Sequence, residues 1–185
     1  MTNRGLILVG LLAISILPSL LVGAVAASTT EVSLVDVKNQ KRFGIGLSAG
    51  GPLSVLGTEV DVNLSEYASI SAGIGTGLDY STMMIKTRFY LPGKWVSPYL
   101  GGGFARWWTA GTRQTKLGPS VLVNRFLPSD YNYADGFNVW MFYPTAGVQF
   151  MHPLGIAFFA EVEYLFRLIS FSNGTYAGIG MHWYF

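Results

Sequence analysis

Tyr176-Ala-Gly-Ile-Gly-Met-His-Trp-Tyr-Phe185 is the stretch whose reading decides the fold. Ala177, Ile179, Met181, Trp183 and Phe185 fall on one side of an extended chain. Tyr176, Gly178, Gly180, His182 and Tyr184 fall on the other. Strict alternation of this kind marks a β-strand with one apolar face. That face grows more aromatic toward Phe185, so it needs an apolar surrounding.

The other end of the sequence is compatible with export. Arg4 supplies a short positive region, and Gly5 to Gly23 is almost unbroken apolar sequence. Ala24-Val25-Ala26 then offers a small-residue cleavage site, with Val25-Ala26-Ala27 beside it. Residues 1–27 read as a signal peptide. A retained anchor is the competing reading, since about 20 apolar residues can span a bilayer. Small residues at the end of the run, and Pro18 within it, favour cleavage. The sequence has no cysteine, which excludes disulfides, an acylated cysteine and thiolate metal sites.

Composition narrows the class further. Charged residues are 12% of the chain and aromatic residues 15%, with 23 glycines. An ordinary soluble domain carries about 25% charged residues. The roughly 158 residues beyond the signal suffice for one domain. After Ala27 no apolar stretch approaches the length of a membrane helix. A bilayer crossing by this part of the chain would therefore require a closed β-barrel, the other structure that satisfies its backbone in lipid. The net charge of +2 is small, and no basic run points to nucleic acid.

From Arg42 the sequence divides into eight segments of about 10 residues, the length of a tilted membrane strand. They run near 42–51, 55–64, 68–77, 81–91, 96–107, 139–151, 156–166 and 175–185. Residues 28–41 precede them as a short periplasmic segment. Tight turns at Ser65–Tyr67, Pro92–Trp95 and His152–Gly155 alternate with connections at Gly50–Ser54, Leu78–Tyr80, Trp108–Asn138 and Arg167–Gly174. Short periplasmic turns opposite longer external loops are the outer-membrane pattern.

Charges obey the alternation. Val60, Val62 and Leu64 oppose Glu59, Asp61 and Asn63; Met83, Ile85 and Phe89 oppose Lys86 and Arg88; Phe158, Val162 and Tyr164 oppose Glu161 and Glu163. An outward Lys or Arg at the bilayer midplane costs about 2–4 kcal/mol. A soluble barrel would also alternate, with its apolar face inward, but the aromatic girdles favour lipid. Phe43, Phe89, Trp95, Phe150, Phe158, Trp183 and Phe185 collect at the periplasmic ends, and Trp108, Tyr80, Trp140 and Phe142 at the external ends. Arg106 fits poorly: parity points it outward near the external rim, unless a bulge reverses it.

The stretches Ser97-Pro-Tyr-Leu-Gly-Gly-Gly103 and Phe158-Phe-Ala-Glu-Val-Glu-Tyr-Leu-Phe166, with the terminal strand, resemble the small eight-stranded outer-membrane barrels of the OmpA-transmembrane-domain, OmpX and OmpW group. The resemblance spans residues 42–185. It implies an integral outer-membrane barrel surrounded by lipid and lipopolysaccharide. It also implies that Met181, Trp183 and Phe185 form the signal read by barrel-assembly machinery. Family members include structural proteins, adhesion or defence factors and narrow channels. The peptidoglycan-binding domain that follows the barrel in some members is not expected here.

Eight strands leave an interior just wide enough for side chains. The inward set combines many glycines with Tyr90, Tyr99, Trp107, Tyr143 and Tyr184. These rings either lie over the glycines as an aromatic plug or leave a narrow passage. Glu59, Asp61, Lys86, Arg88, Glu161 and Glu163 sit at similar depth and form one inward cluster. Buried ions must be paired or neutralised, so an ion-pair network is the first reading and a gate in a small channel the second. Glu161 and Glu163 have the wider spacing of an inverting glycosidase pair, without a sugar cleft. Some barrels of this architecture modify lipid A with a histidine and a serine. His182 and His152 lie toward the periplasmic end, and no serine stands two residues from His182, so both read as structural. No cofactor or metal is implied.

The Trp108–Asn138 loop exceeds the usual 12–15 residues. Arg113, Lys116, Arg125, Tyr131 and Tyr133 could contact a surface partner there, or the loop could simply extend its hairpin. The expected function is non-enzymatic: a structural or surface-interaction barrel with a largely filled lumen. A narrow channel for small solutes is the alternative, and a signal-anchored periplasmic β-domain the third reading.

Overall fold

The computed structural model describes residues 34–77, 79–109, 125–127, 136–169 and 172–185. The signal reading and most of the long loop, including Arg113, Lys116, Tyr131 and Tyr133, lie outside them. Eight antiparallel strands close into a barrel in sequence order. They are β1 (Phe43–Gly50), β2 (Leu56–Ser65), β3 (Ala68–Thr76), β4 (Ser81–Tyr90), β5 (Val96–Thr109), β6 (Phe137–Met151), β7 (Ile156–Arg167) and β8 (Asn173–Tyr184). Closure pairs β1 with β8, with Gly44 opposite Tyr184 and Ile45 opposite Trp183. Closure removes the unpaired strand edges that lipid would not tolerate.

The side-chain period places charge and glycine inside and large apolar groups outside. Ile74, Phe89, Leu100, Ile179, Trp183 and Phe185 are each about 60% exposed or more. An exterior this apolar is a lipid-facing surface, since soluble monomers rarely expose patches above a few hundred Å². Arg106 follows parity outward; no bulge interrupts the β4–β5 or β5–β6 register around it.

Two short elements lie at the ends of the barrel. Helix α1 (Leu34–Gln40) buries Val37 against Met151, Ala157 and Tyr184. At the opposite end, Gly51–Leu53 forms a 3-10 turn between β1 and β2. Gly50 and Gly51 take φ of 87° and 58°, a left-handed conformation that glycine adopts at low cost. The bend drives Leu53 inward, where it is buried. The indole nitrogen of Trp107 donates to the Pro52 carbonyl at 2.7 Å, and Thr82 Oγ1 donates to that of Leu53 at 3.1 Å.

Tyr80 departs from its expected place in the external girdle. It is 4% exposed, packs on Trp107 and Phe137, and its hydroxyl meets Ser54 Oγ at 2.5 Å. Ser54, the residue that ends the inward turn at Gly51–Leu53, supplies that polar partner.

Candidate functional site

The inward charges occupy the middle of the barrel, and their cross-strand neighbours make room for them. Glu59 stands between Gly46 and Gly73, and Asp61 between Gly44 and Ser71. Lys86 stands between Ser71 and Gly103, and Arg88 between Ser69 and Gly101. Glu161 lies between Gly147 and Gly178. Small residues on both sides let long charged side chains bend across an interior that eight strands keep narrow.

The charges bind one another closely. Lys86 Nζ lies 2.5 Å from Glu161 Oε1 and 3.6 Å from Glu59 Oε2. The Arg88 guanidinium reaches Asp61 at 3.1 Å, Glu59 at 3.4 Å and Glu161 at 3.8 Å. Asp61 also accepts from Ser69 at 3.2 Å, from Ser71, and from the Tyr184 hydroxyl at 2.8 Å. Tyr99 donates to Glu161 Oε2 at 2.8 Å. All these side chains are buried, so the bonds act in a low dielectric. With Glu161 held by Lys86 and Tyr99, its carboxylate is committed to the packing.

Glu163 lies beside Glu161 but makes none of the ion pairs of this layer. It is buried, yet neither of its oxygens has a hydrogen-bond partner among the described residues. Its carboxylate abuts the backbone of Gly51, where a Cβ would lie within 2.3 Å. His182 faces inward as expected, stacks on Phe159 with centroids 5.0 Å apart, and points Nε2 at Glu59 Oε2 from 3.4 Å. His152 lies exposed in the β6–β7 turn, where its Nδ1 accepts from the Leu154 amide at 3.3 Å.

Aromatic side chains pack above and below the charges. Tyr90, Tyr99, Trp107, Tyr143 and Tyr184 are all buried. Tyr184 lies over Gly44, Tyr99 over Gly147 and Phe159 over Gly180, each too close for a Cβ to fit unaltered. On the side of the long loop, Trp107 meets Phe126 edge-on, and Phe126 stacks on Tyr176. Arg167 Nη1 donates to the Phe126 carbonyl at 2.6 Å. Thus residues 125–127 return to the barrel mouth: Phe126 enters it while Arg125 stays exposed.

At the other mouth Lys38 of α1 lies buried over the Tyr90 ring. Lys38, Leu53 and Phe126 are contributors that alternation could not locate, because they sit outside the strands. The Gly50-Gly51-Pro52 run was the readable sign of a sharp turn. Met181, Trp183 and Phe185 all point outward from β8 and its end.

No protein-family model matches the sequence, and no curated protein matches it. Among solved structures, the chain is similar to the N-terminal β-barrel domain of Pseudomonas aeruginosa OprF. The TM-score is 0.55 at 14% identity, covering 79% of this chain and 100% of that one. The fold is that of an outer-membrane β-barrel. Weaker likenesses are to the Yersinia pestis outer-membrane protein Ail. In a phospholipid nanodisc, Ail gives a TM-score of 0.43 at 13% identity, covering 78% and 99% of the two chains. In complex with the heparin analogue sucrose octasulfate, it gives 0.41 at 14%, covering 78% and 97%.

Proposed function

We propose that this chain is an integral outer-membrane barrel that acts without catalysis, as a structural or surface-presenting protein whose lumen is closed by its own side chains. The observation that carries the reading is the stacking of three buried layers along one barrel. Leu53, Trp107 and Phe126 fill the mouth beside the long loop. The ion-paired layer fills the middle, and Tyr184 with Val37 fills the opposite mouth.

A porin-type channel instead keeps a polar, water-filled interior. The OprF likeness supports the membrane setting through the fold. The long β5–β6 connection marks the external end by the outer-membrane pattern. Contact with a surface partner is assigned to that connection, through Arg113, Lys116, Arg125, Tyr131 and Tyr133. Folded protein in phospholipid vesicles should leave them impermeable to small neutral sugars in a swelling assay. Rapid swelling with the unmodified protein would place it among the narrow channels.

A further inference from the structure

Among the described residues, the outward rows of the eight strands carry one cation, Arg106. Every other outward strand position is apolar or uncharged, as depth-dependent penalties on lipid-facing charge require. Arg106 is nevertheless held in place. Its Nε donates to Asn138 Oδ1 at 2.9 Å. Its guanidinium carbon lies 5.2 Å from the Trp108 ring centroid and 5.3 Å from that of Trp140. Opposite it stand Met83 on β4 and Trp140 on β6, and no described carboxylate pairs with it.

Two indoles at one level mark an interface, where amphipathic rings meet lipid headgroups. By the loop pattern this is the external interface. With Nε fixed by Asn138, the two terminal nitrogens keep the planar fork that suits two phosphate oxygens at once. The arrangement positions a cation where a lipid phosphate lies, on the outside of the barrel and away from its lumen.

We infer that Arg106, braced by Trp108, Trp140 and Asn138, binds the phosphate of a phosphorylated glycolipid headgroup in the outer leaflet. The inference rests on the membrane-barrel reading, and holds whether or not the lumen conducts. It is tested by native mass spectrometry of the folded chain in an uncharged maltoside detergent. The probes are phosphorylated lipid A, the same lipid with its phosphates removed, and inorganic phosphate.

Phosphorylated lipid A should bind, and Arg106→Gln should weaken it about tenfold, the loss of one charge-assisted contact. Arg106→Lys keeps the charge without the fork and should fall between the two. Lys94→Gln, at the opposite end, should bind as the unmodified protein does, and the dephosphorylated lipid should bind all forms equally weakly. Folding of each variant is checked by its heat-dependent gel mobility. Unchanged affinity in folded Arg106→Gln, or in Arg106→Lys if the glutamine form does not fold, overturns the assignment. So does displacement by inorganic phosphate at equal concentration, which would make the site one for free anions. Permeable vesicles with an intact Arg106 effect would overturn the closed lumen and leave this site standing.

Discussion

Arg88 reaches three carboxylates, at 3.1, 3.4 and 3.8 Å, while Lys86 bridges Glu59 and Glu161. Removing one partner strands the others, which costs about 3–5 kcal/mol for a buried pair. Lys86→Met should therefore lower barrel stability by that order in urea titrations from lipid vesicles. Lys94→Met, in the exposed β4–β5 turn, should stay within about 0.5 kcal/mol. Equal losses would show that water reaches the charged layer. A steric test lies at Gly147, where a Cβ would come 2.6 Å from the Ala160 carbonyl oxygen and from the Tyr99 ring and hydroxyl. Gly147→Ala should displace that ring from Glu161 and cost about 1–3 kcal/mol as overpacking, read from the same titration; an unchanged midpoint would mean the ring has room to move. Alternation revealed which residues point inward, because charge facing lipid is costly away from the rim. It did not reveal that Glu163 would abut Gly51, since that depends on where a loop folds.

At the scale of elements, the strands were legible because each one is half in lipid and half in the lumen. Observed ends lie within two residues of the expected ones in every strand, β5 and β6 running two residues further toward the long loop. The capping elements were not legible. Helix α1 has 7 residues, too few for a repeating apolar stripe, and the Gly51–Leu53 turn has no period at all. Tyr80 was misplaced for the same reason: its partner Ser54 directly follows that turn. Helix α1 carries its own pH dependence. Burial pushes Lys38 down from 10.5 to about 7, against the pull of nearby Asp61 and with a push from Arg88. Between those values the unfolded chain holds the extra proton, so stability should rise with pH across the window; below about 7 the penalty is complete. Urea midpoints measured across it should climb for the unmodified protein and stay flatter for Lys38→Met. Parallel curves would mean that Lys38 is solvated.

For the whole molecule, the sequence separates two surfaces, and the structure shows what each encloses. Lipid is met by an apolar wall with Arg106 at its rim, and the interior is occupied by charge and rings from six strands, over the inward glycines and serines of β1 and β3. Closed-barrel architecture could be read from segment length, girdles and turn spacing. The packing of rings over Gly44, Gly147 and Gly180 could not, because glycine-rich inward rows are equally compatible with a passage. The packing of α1 at one mouth, and of Leu53 with Phe126 at the other, is a tertiary feature with no periodic trace. The closed lumen is tested most directly by planar-bilayer recording of the pure, folded protein. It should show no steady conductance, and the Tyr99→Ala, Tyr143→Ala double variant should open a small one as two buried rings are lost. A robust open level in the unmodified protein would contradict the account.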